Sequence, residues 1–262
     1  MSNLPPKILH FCYSGYFQSG ILKQLRAEYD ASIELGLDWT IVYFTHEKSS
    51  DPFVHSTGLK QRFNNVFAKA FRYIMLRIFA SCWLLRHRKK FDVILLRYVV
   101  GDIFVAINAS ITNKYFTVHH TKELEEAAHL GKYVSKYSLA VEHILGKRTI
   151  RKAAGIIAVT QEIAEYERAR AASGIGLIDQ PHYVYSNGLD FSRCALANDL
   201  RGGVPKLVFV AAVFQPWHGL DLLLEQVSVS DETFELHLVG NIGGLHSDDP
   251  RVILHGTLSE TE

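Results

Sequence analysis

Short apolar runs alternate with stretches of helical spacing along most of this chain. Lys7 to Tyr13 (KILHFCY) is a continuous apolar run of the length of a buried strand. Ser14 to Gly20 follows as a small loop with two glycines. Ile21 to Leu35 then places apolar residues at 21, 22, 25, 29, 33 and 35, close to helical spacing, and Gly36 stops it. Trp39 to Phe44 reads as a second strand. The four pieces form a strand–loop–helix–strand unit, the seed of a parallel sheet.

The alternation continues. Residues 59 to 90 read as one long helix or a broken pair, and Phe91 to Val100 as a strong strand. Asp102 to Ser110 reads as a short helix, Tyr115 to His119 as a strand, Thr121 to His129 as an acidic helix, and Lys136 to Ala153 as a further helix. Gly155 to Val159 is a strand; Thr160 is a cap-like residue opening a helix to Ala172. Tyr183 to Tyr185 is a short strand ending at an Asn187-Gly188 turn.

The pattern weakens from Phe191 to Pro205, which holds few large apolar residues and contains Gly202-Gly203-Val204-Pro205. This stretch reads as a linker. A second unit follows: a strand from Lys206 to Val213, a helix from Gly219 to Val227, a strand from Phe234 to Val239, a glycine-bearing turn from Gly240 to Gly244, and a strand from Arg251 to Leu254. The expected class is α/β, with two Rossmann-like parallel-sheet units. The expected organisation is a domain over 1–190, a linker over 191–205 and a partial domain over 206–262. A parallel sheet needs helices on both faces, so the second unit reads as cut off in mid-domain; a small complete lobe is the other reading.

Composition narrows the classes. The chain has 262 residues, 48% hydrophobic and 21% charged, which excludes wholesale disorder and collagen-like or coiled-coil architectures. Lys plus Arg number 28 against 27 for Asp plus Glu, so no global charge favours nucleic acid. Cys12, Cys82 and Cys194 are far apart and lack zinc-ligand spacing, and so sparse a set suits a reducing compartment. With no basic region leading an apolar stretch at the N-terminus, and no charge-free run of about 20 apolar residues, the expected location is cytoplasmic.

Residues 59 to 90 stand out. They carry Lys60, Arg62, Lys69, Arg72, Arg77, Arg86, Arg88, Lys89 and Lys90, with no Asp or Glu, interleaved with Phe, Tyr, Ile, Leu and Trp. Such a helix suits an anionic membrane surface, which would put the chain at the inner membrane face. The plainer reading is a core helix with a solvated basic face. Nucleic acid is a poorer fit, because no nucleic-acid motif accompanies the stretch.

Several strand ends carry candidate chemistry. Gly15 starts a glycine-bearing loop through which backbone N–H groups can approach a phosphate or an acceptor, or which is an ordinary turn. His119 and His120 follow a strand, where open α/β sheets place ligands, and an imidazole there can hydrogen-bond a substrate or stabilise charge. The plainer alternative is one packed and one solvated histidine. Glu123, Glu125 and Glu126 suit the helix dipole better than catalysis. His218 and Gly219 open a helix whose N-terminus can face an anion, and Gly240 follows the same strand-end logic. Trp217 reads as packing more than stacking, and Asn187-Gly188 as a turn.

Phe209 to Leu223 (FVAAVFQPWHGLDLL), with its Trp217-His218-Gly219 triplet, resembles the entry to the nucleotide-sugar domain of glycosyltransferases of the B fold, family 4, of the bacterial capsular or surface-polysaccharide type. Tyr185 to Asp190 (YSNGLD), Ala154 to Ile163, His119 to Glu126 (HHTKELEE), Leu236 to Gly240 and Val252 to Gly256 match further segments in the expected order. The resemblance implies a retaining transfer of a sugar from a nucleotide diphosphate sugar to a hydroxyl of a glycan or lipid-linked acceptor. It implies His119 and His120 as catalytic residues and Gly15, His218, Gly219 and Gly240 as substrate-binding ones. It implies no metal and no cofactor beyond the donor substrate.

The sequence departs from the family pattern where many members carry an Arg and a Lys: Ala212 and His218 stand there, and neither brings a fixed charge to a diphosphate. The family's donor-holding glutamate segment has no counterpart before Glu262, so the chain by itself is expected to be inactive. The alternative is a non-catalytic half that binds acceptor or membrane and pairs with a donor-binding chain. A nucleotide-binding module or epimerase-type enzyme is a weaker third reading.

Overall fold

The computed structural model describes residues 5–15, 19–59, 65–112, 114–129, 136–174, 176, 179–186, 203–214, 218–241, 243–244 and 246–258. The chain divides into two compact units, Met1–Gly188 and Leu189–Glu262. The expected linker, apart from residues 203–205, lies outside the described residues, as do Asn187, Gly188 and Trp217.

The first unit holds a seven-stranded sheet. Its strands are β1 (Ile8–Tyr13), β2 (Trp39–Thr45), β3 (Val54–Ser56), β4 (Val93–Arg97), β5 (Tyr115–His119), β6 (Gly155–Ala158) and β7 (His182–Val184). They run in the order β3-β2-β1-β4-β5-β6-β7, and every neighbouring pair is parallel. The order reverses between β1 and β4, which makes that junction the topological switch point, the crevice where open α/β sheets take ligands. β3 had no counterpart in the expected elements: three residues are too few to show a period.

Both faces of this sheet are covered, as the unbroken apolar strand runs require. Leu9, Phe11 and Tyr13 point to one face, where they pack with Leu76, Ala80 and Leu84 of α2 (Val66–His87) and with Val105 and Ala109 of α3 (Ile103–Ser110). Cys12 points to the other face and packs with Leu25 of α1 (Ser19–Glu34), Tyr43 and Phe53. The remaining helices are α4 (Glu123–His129), α5 (Lys136–Val141), α6 (Lys147–Lys152) and α7 (Gln161–Ala172). Thr160 caps α7 through its side-chain oxygen, as expected.

One helical expectation resolves to its first alternative, and another needs correction. The 59–90 stretch is one helix that starts at Val66, capped by Asn65, and ends in a 3-10 turn at Arg88–Lys90. Its basic residues do not all face solvent: Arg72 and Arg77 are buried, and Arg77 donates to Asp102 at 2.5 Å. Asp102 also caps α3, so one carboxylate ties two helices together. The 136–153 stretch is interrupted by a π-helical turn at Glu142–Gly146, a local widening common at functional sites.

The second unit carries β8 (Lys206–Val213), α8 (Leu220–Val229), β9 (Glu235–Asn241) and β10 (Val252–Gly256). Its sheet is parallel in the order β10-β9-β8. Leu220, Val227, Leu236 and Leu238 form its core. The fold class is thus α/β, with a large parallel sheet and a smaller second one.

Candidate functional site

The carboxyl ends of β1, β4 and β5 carry two polar clusters on opposite faces of the first sheet. Alternation along the strands decides which residue joins which cluster. Tyr98, just past β4, stacks on His119 with ring centroids 4.8 Å apart. Arg97, one residue earlier, turns to the α1 face and donates to Nε2 of His120 at 2.9 Å.

His119 is fully buried. Its Nδ1 lies 3.0 Å from Glu123 Oε2 and 3.9 Å from Glu167 Oε1. Burial pushes the imidazole down, but the two carboxylates outweigh it and hold His119 above its ordinary value. Glu123 is held below the usual carboxylate range, with burial opposed by the His119 charge and hydrogen bond. Burial lifts Glu167 to about 7 against the pull of His119 and Arg170. Glu123 therefore does more than favour the dipole of its helix: it orients the His119 ring and favours its charged form.

Behind this pair sits a second ionic layer. Arg170 donates to Glu167 at 2.7 Å and also bonds Glu142. Glu142, placed by the π-helical turn, accepts from the Tyr98 hydroxyl at 2.6 Å and from the Gly101 N–H at 2.8 Å. Burial opposes the Arg170 charge, but Glu167, Tyr98 and Glu142 raise its pKa further. His119, Glu123 and Glu167 bring potential ligand atoms within 4.8 Å of one another, among the described residues. Arg170 bonds the other Glu167 oxygen, Oε2, while Oε1, which faces His119, is buried without a hydrogen-bond partner among the described residues.

On the α1 face, His10 Nδ1 lies 2.6 Å from Glu28 Oε2, and both side chains are buried. Gln24 donates to the other Glu28 oxygen at 3.0 Å. Arg97 lies beside this pair, and burial lowers its pKa, countered by Cys12, Glu123 and Glu28. His120 is only partly buried. Burial, then Arg97 and His10, push it down to about 3, so it is neutral near pH 7. Arginine can only donate, so the acceptor is Nε2 and the proton resides on Nδ1. The His120 backbone N–H is meanwhile held by Glu123 at 3.3 Å. Glu123 thus touches both histidines and links the two faces.

The remaining predicted residues fall in two places. Gly15 follows β1, half-buried, at the switch-point end of the sheet, with open space beside its Cα. In the second unit, His218 is half-buried with its ring set edge-on to Phe214. Gly219 caps α8 in the left-handed conformation, φ 69°. Gly240 in β9 has φ 133°, and a Cβ there would fall on the Ala211 carbonyl oxygen of β8. Its role in the fold is close backbone approach beside the β8–β9 bulge. Ala212 is exposed on β8.

Sequence reasoning missed Arg97, Glu142, Glu167 and Arg170. Arg97 did leave a signal, a lone charge closing the apolar run of β4. Glu142, Glu167 and Arg170 left none, since charges on amphipathic helices read as solvated.

No protein-family model matches the sequence, and no curated protein matches it. Solved structures do. A glycosyltransferase from Rickettsia africae ESF-5 superposes with a TM-score of 0.58 at 13% identity, over 98% of this chain and 69% of that one. An alpha-glucosyltransferase in complex with UDP and a 13-mer DNA containing an HMU base gives 0.53 at 12% identity, over 90% of this chain and 57% of that one. An alpha-glucosyltransferase in complex with UDP gives 0.50 at 9% identity, over 90% and 59%. This chain thus spans little more than half the length of the last two. The shared feature is the fold, the two-sheet α/β architecture of B-type glycosyltransferases.

Proposed function

We propose that this protein transfers a sugar from a nucleotide diphosphate sugar to a hydroxyl of a glycan or lipid-linked acceptor in surface-polysaccharide synthesis. The observation that carries the reading is the Arg97–His120 pair. It combines a cation and a neutral imidazole beside the switch point of a sheet whose fold is shared with glycosyltransferases.

In this reading the acceptor oxygen bonds to the anomeric carbon as the bond to the diphosphate oxygen breaks. The electron pair leaves with the diphosphate, and the acceptor proton passes to one of its oxygens. His120 touches the ligand, since its Nδ1–H is a donor with Nε2 already engaged by Arg97. His119 lies behind it and positions it through Glu123, rather than meeting substrate itself. Gly15 lines the same strand-end crevice. His218, Gly219 and Gly240 are assigned to the donor side by their motif resemblance, where the N-terminus of α8 offers unpaired N–H groups to an anion. Retention of anomeric configuration belongs to the same reading.

Calorimetry with a panel of nucleotide diphosphate sugars, followed by NMR detection of glycoside formation with hydroxyl acceptors, tests it. A bound donor and an acceptor product of unchanged anomeric configuration are expected, against the sequence-based expectation that the chain by itself is inactive. Binding of no donor, or a product formed equally well by His120→Ala, would overturn the assignment.

A further inference from the structure

α2 presents a face that none of the described residues covers. Phe67, Phe71, Ile74 and Ile78 recur every three or four residues, Leu85 follows seven residues on, and they are 86%, 57%, 45%, 40% and 51% exposed. That spacing sets them in one stripe along a 22-residue helix. Single exposed apolar residues are ordinary, but a continuous stripe of this length marks an interaction surface. The opposite side of the helix is committed to the core: Leu76, Ala80 and Leu84 are fully buried, and Arg77 is paired with Asp102. The helix cannot turn over to hide the stripe.

Cations accompany it. Lys69, Arg86, Lys89 and Lys90 are exposed on the helix and the turn that follows, and residues 59 to 90 contain no acid. The same turn carries Arg88 and Lys89 to the wall of a cleft of about 320 Å³ that also holds Lys114. Its one carboxylate, Asp92, accepts a hydrogen bond from the Lys7 backbone N–H at 2.8 Å.

We propose that the outer face of α2 docks this protein in the plane of an anionic lipid surface. The apolar stripe would enter the acyl boundary, while the cations at its C-terminal end meet lipid phosphates. The charges select this occupant. A second copy of the chain would bury the stripe equally well but would set like charges against each other. A nucleic acid would satisfy the cations and leave the aliphatic stripe in water. A spanning insertion is not the alternative, because no helix among the described residues is long and apolar enough to cross a membrane. This inference does not depend on sugar chemistry.

The experiment is vesicle co-sedimentation of the intact chain, with phosphatidylcholine alone and with phosphatidylcholine and phosphatidylglycerol in equal parts. Partition into the anionic vesicles only, weakened by salt, is expected. Neutralising Arg86, Lys89 and Lys90 to Gln should lower partition by about fivefold for each cation, on the order of a hundredfold together. Phe71→Ser with Ile78→Ser should abolish it, with circular dichroism confirming the fold. Lys89→Gln with Lys90→Gln lies outside the helix and keeps the test sound if the serine variant does not fold. No partition, equal partition into neutral vesicles, or a concentration-dependent dimer that protects the stripe would overturn the proposal. Donor calorimetry on the same variants should be unchanged, which separates this outcome from any failure of the transferase reading.

Discussion

The Arg97 guanidinium lies 2.9 Å from the His120 imidazole, and each belongs to the carboxyl end of a different parallel strand. Two groups that can each carry a positive charge share one hydrogen bond, which only a neutral histidine allows. Replacing Arg97 with Gln should therefore raise the His120 pKa from about 3 toward, but not above, its ordinary 6.5, because burial still opposes the charge. An NMR titration of the imidazole protons checks this, and an unmoved pKa would show that Arg97 is not the partner.

The same pair sets an acid limit. A histidine with a depressed folded pKa contributes stability that is present above about pH 6.5 and is lost as pH falls toward about 3. His120→Gln should flatten the melting temperature between pH 6 and 4 relative to the parent. If sugar transfer is measurable, His120→Ala should lower kcat/KM about 10- to 100-fold, the cost of one charge-assisted hydrogen bond.

His119 acts in the opposite direction. Its folded pKa is raised, so its contribution is complete below about pH 6.5 and is lost as pH rises through the folded value. Glu167, lifted to about 7, adds a loss over the climb from about 4.5 to 7. Melting temperatures measured from pH 5.5 to 9 should fall for the parent protein. They should be lower at pH 6 but flatter for His119→Gln. Glu123→Gln should resemble it above neutrality, since Glu123 is a principal partner holding the imidazolium.

Arg170 closes the ionic layer between Glu167 and Glu142. Removing one member of a buried ion network leaves uncompensated charge, at a cost of about 3–5 kcal/mol. Arg170→Met should lose that much in urea unfolding. A triple variant that also carries Glu142→Gln and Glu167→Gln should recover part of it, since the stranded charges are gone.

Gly240→Ala places a methyl group on the Ala211 carbonyl and demands a positive φ of an L side chain. Strain of this kind costs on the order of 1–3 kcal/mol. Amide exchange should show faster opening in β8 and β9, with the first unit unaffected.

The elements that the pattern made legible are those whose type is decided locally. The expected strands Tyr115 to His119 and Lys206 to Val213 match β5 and β8, because a short apolar run rich in β-branched and aromatic residues favours a strand, whether buried like β5 or largely exposed like β8. α1 and α7 were likewise marked by their stops and caps. The order β3-β2-β1-β4-β5-β6-β7 was not readable, since no local pattern says which strands are neighbours. The adjacency of His119 and His120 in sequence suggested one site. The pleat instead sends one to Tyr98 and Glu167 and leaves the other to Arg97.

The sequence by itself determined the α/β class, the strand ends at His119 and Tyr13, and the cationic apolar helix between 59 and 90, since each rests on composition and spacing within a few turns of chain. Tertiary structure alone decided that Arg72 and Arg77 turn inward while Phe67 and Phe71 stay in water. It alone decided that Glu142, Glu167 and Arg170 meet behind His119. Those outcomes depend on desolvation and pairing between residues tens of positions apart, and a charge on a helix shows whether it is buried only when its partner arrives.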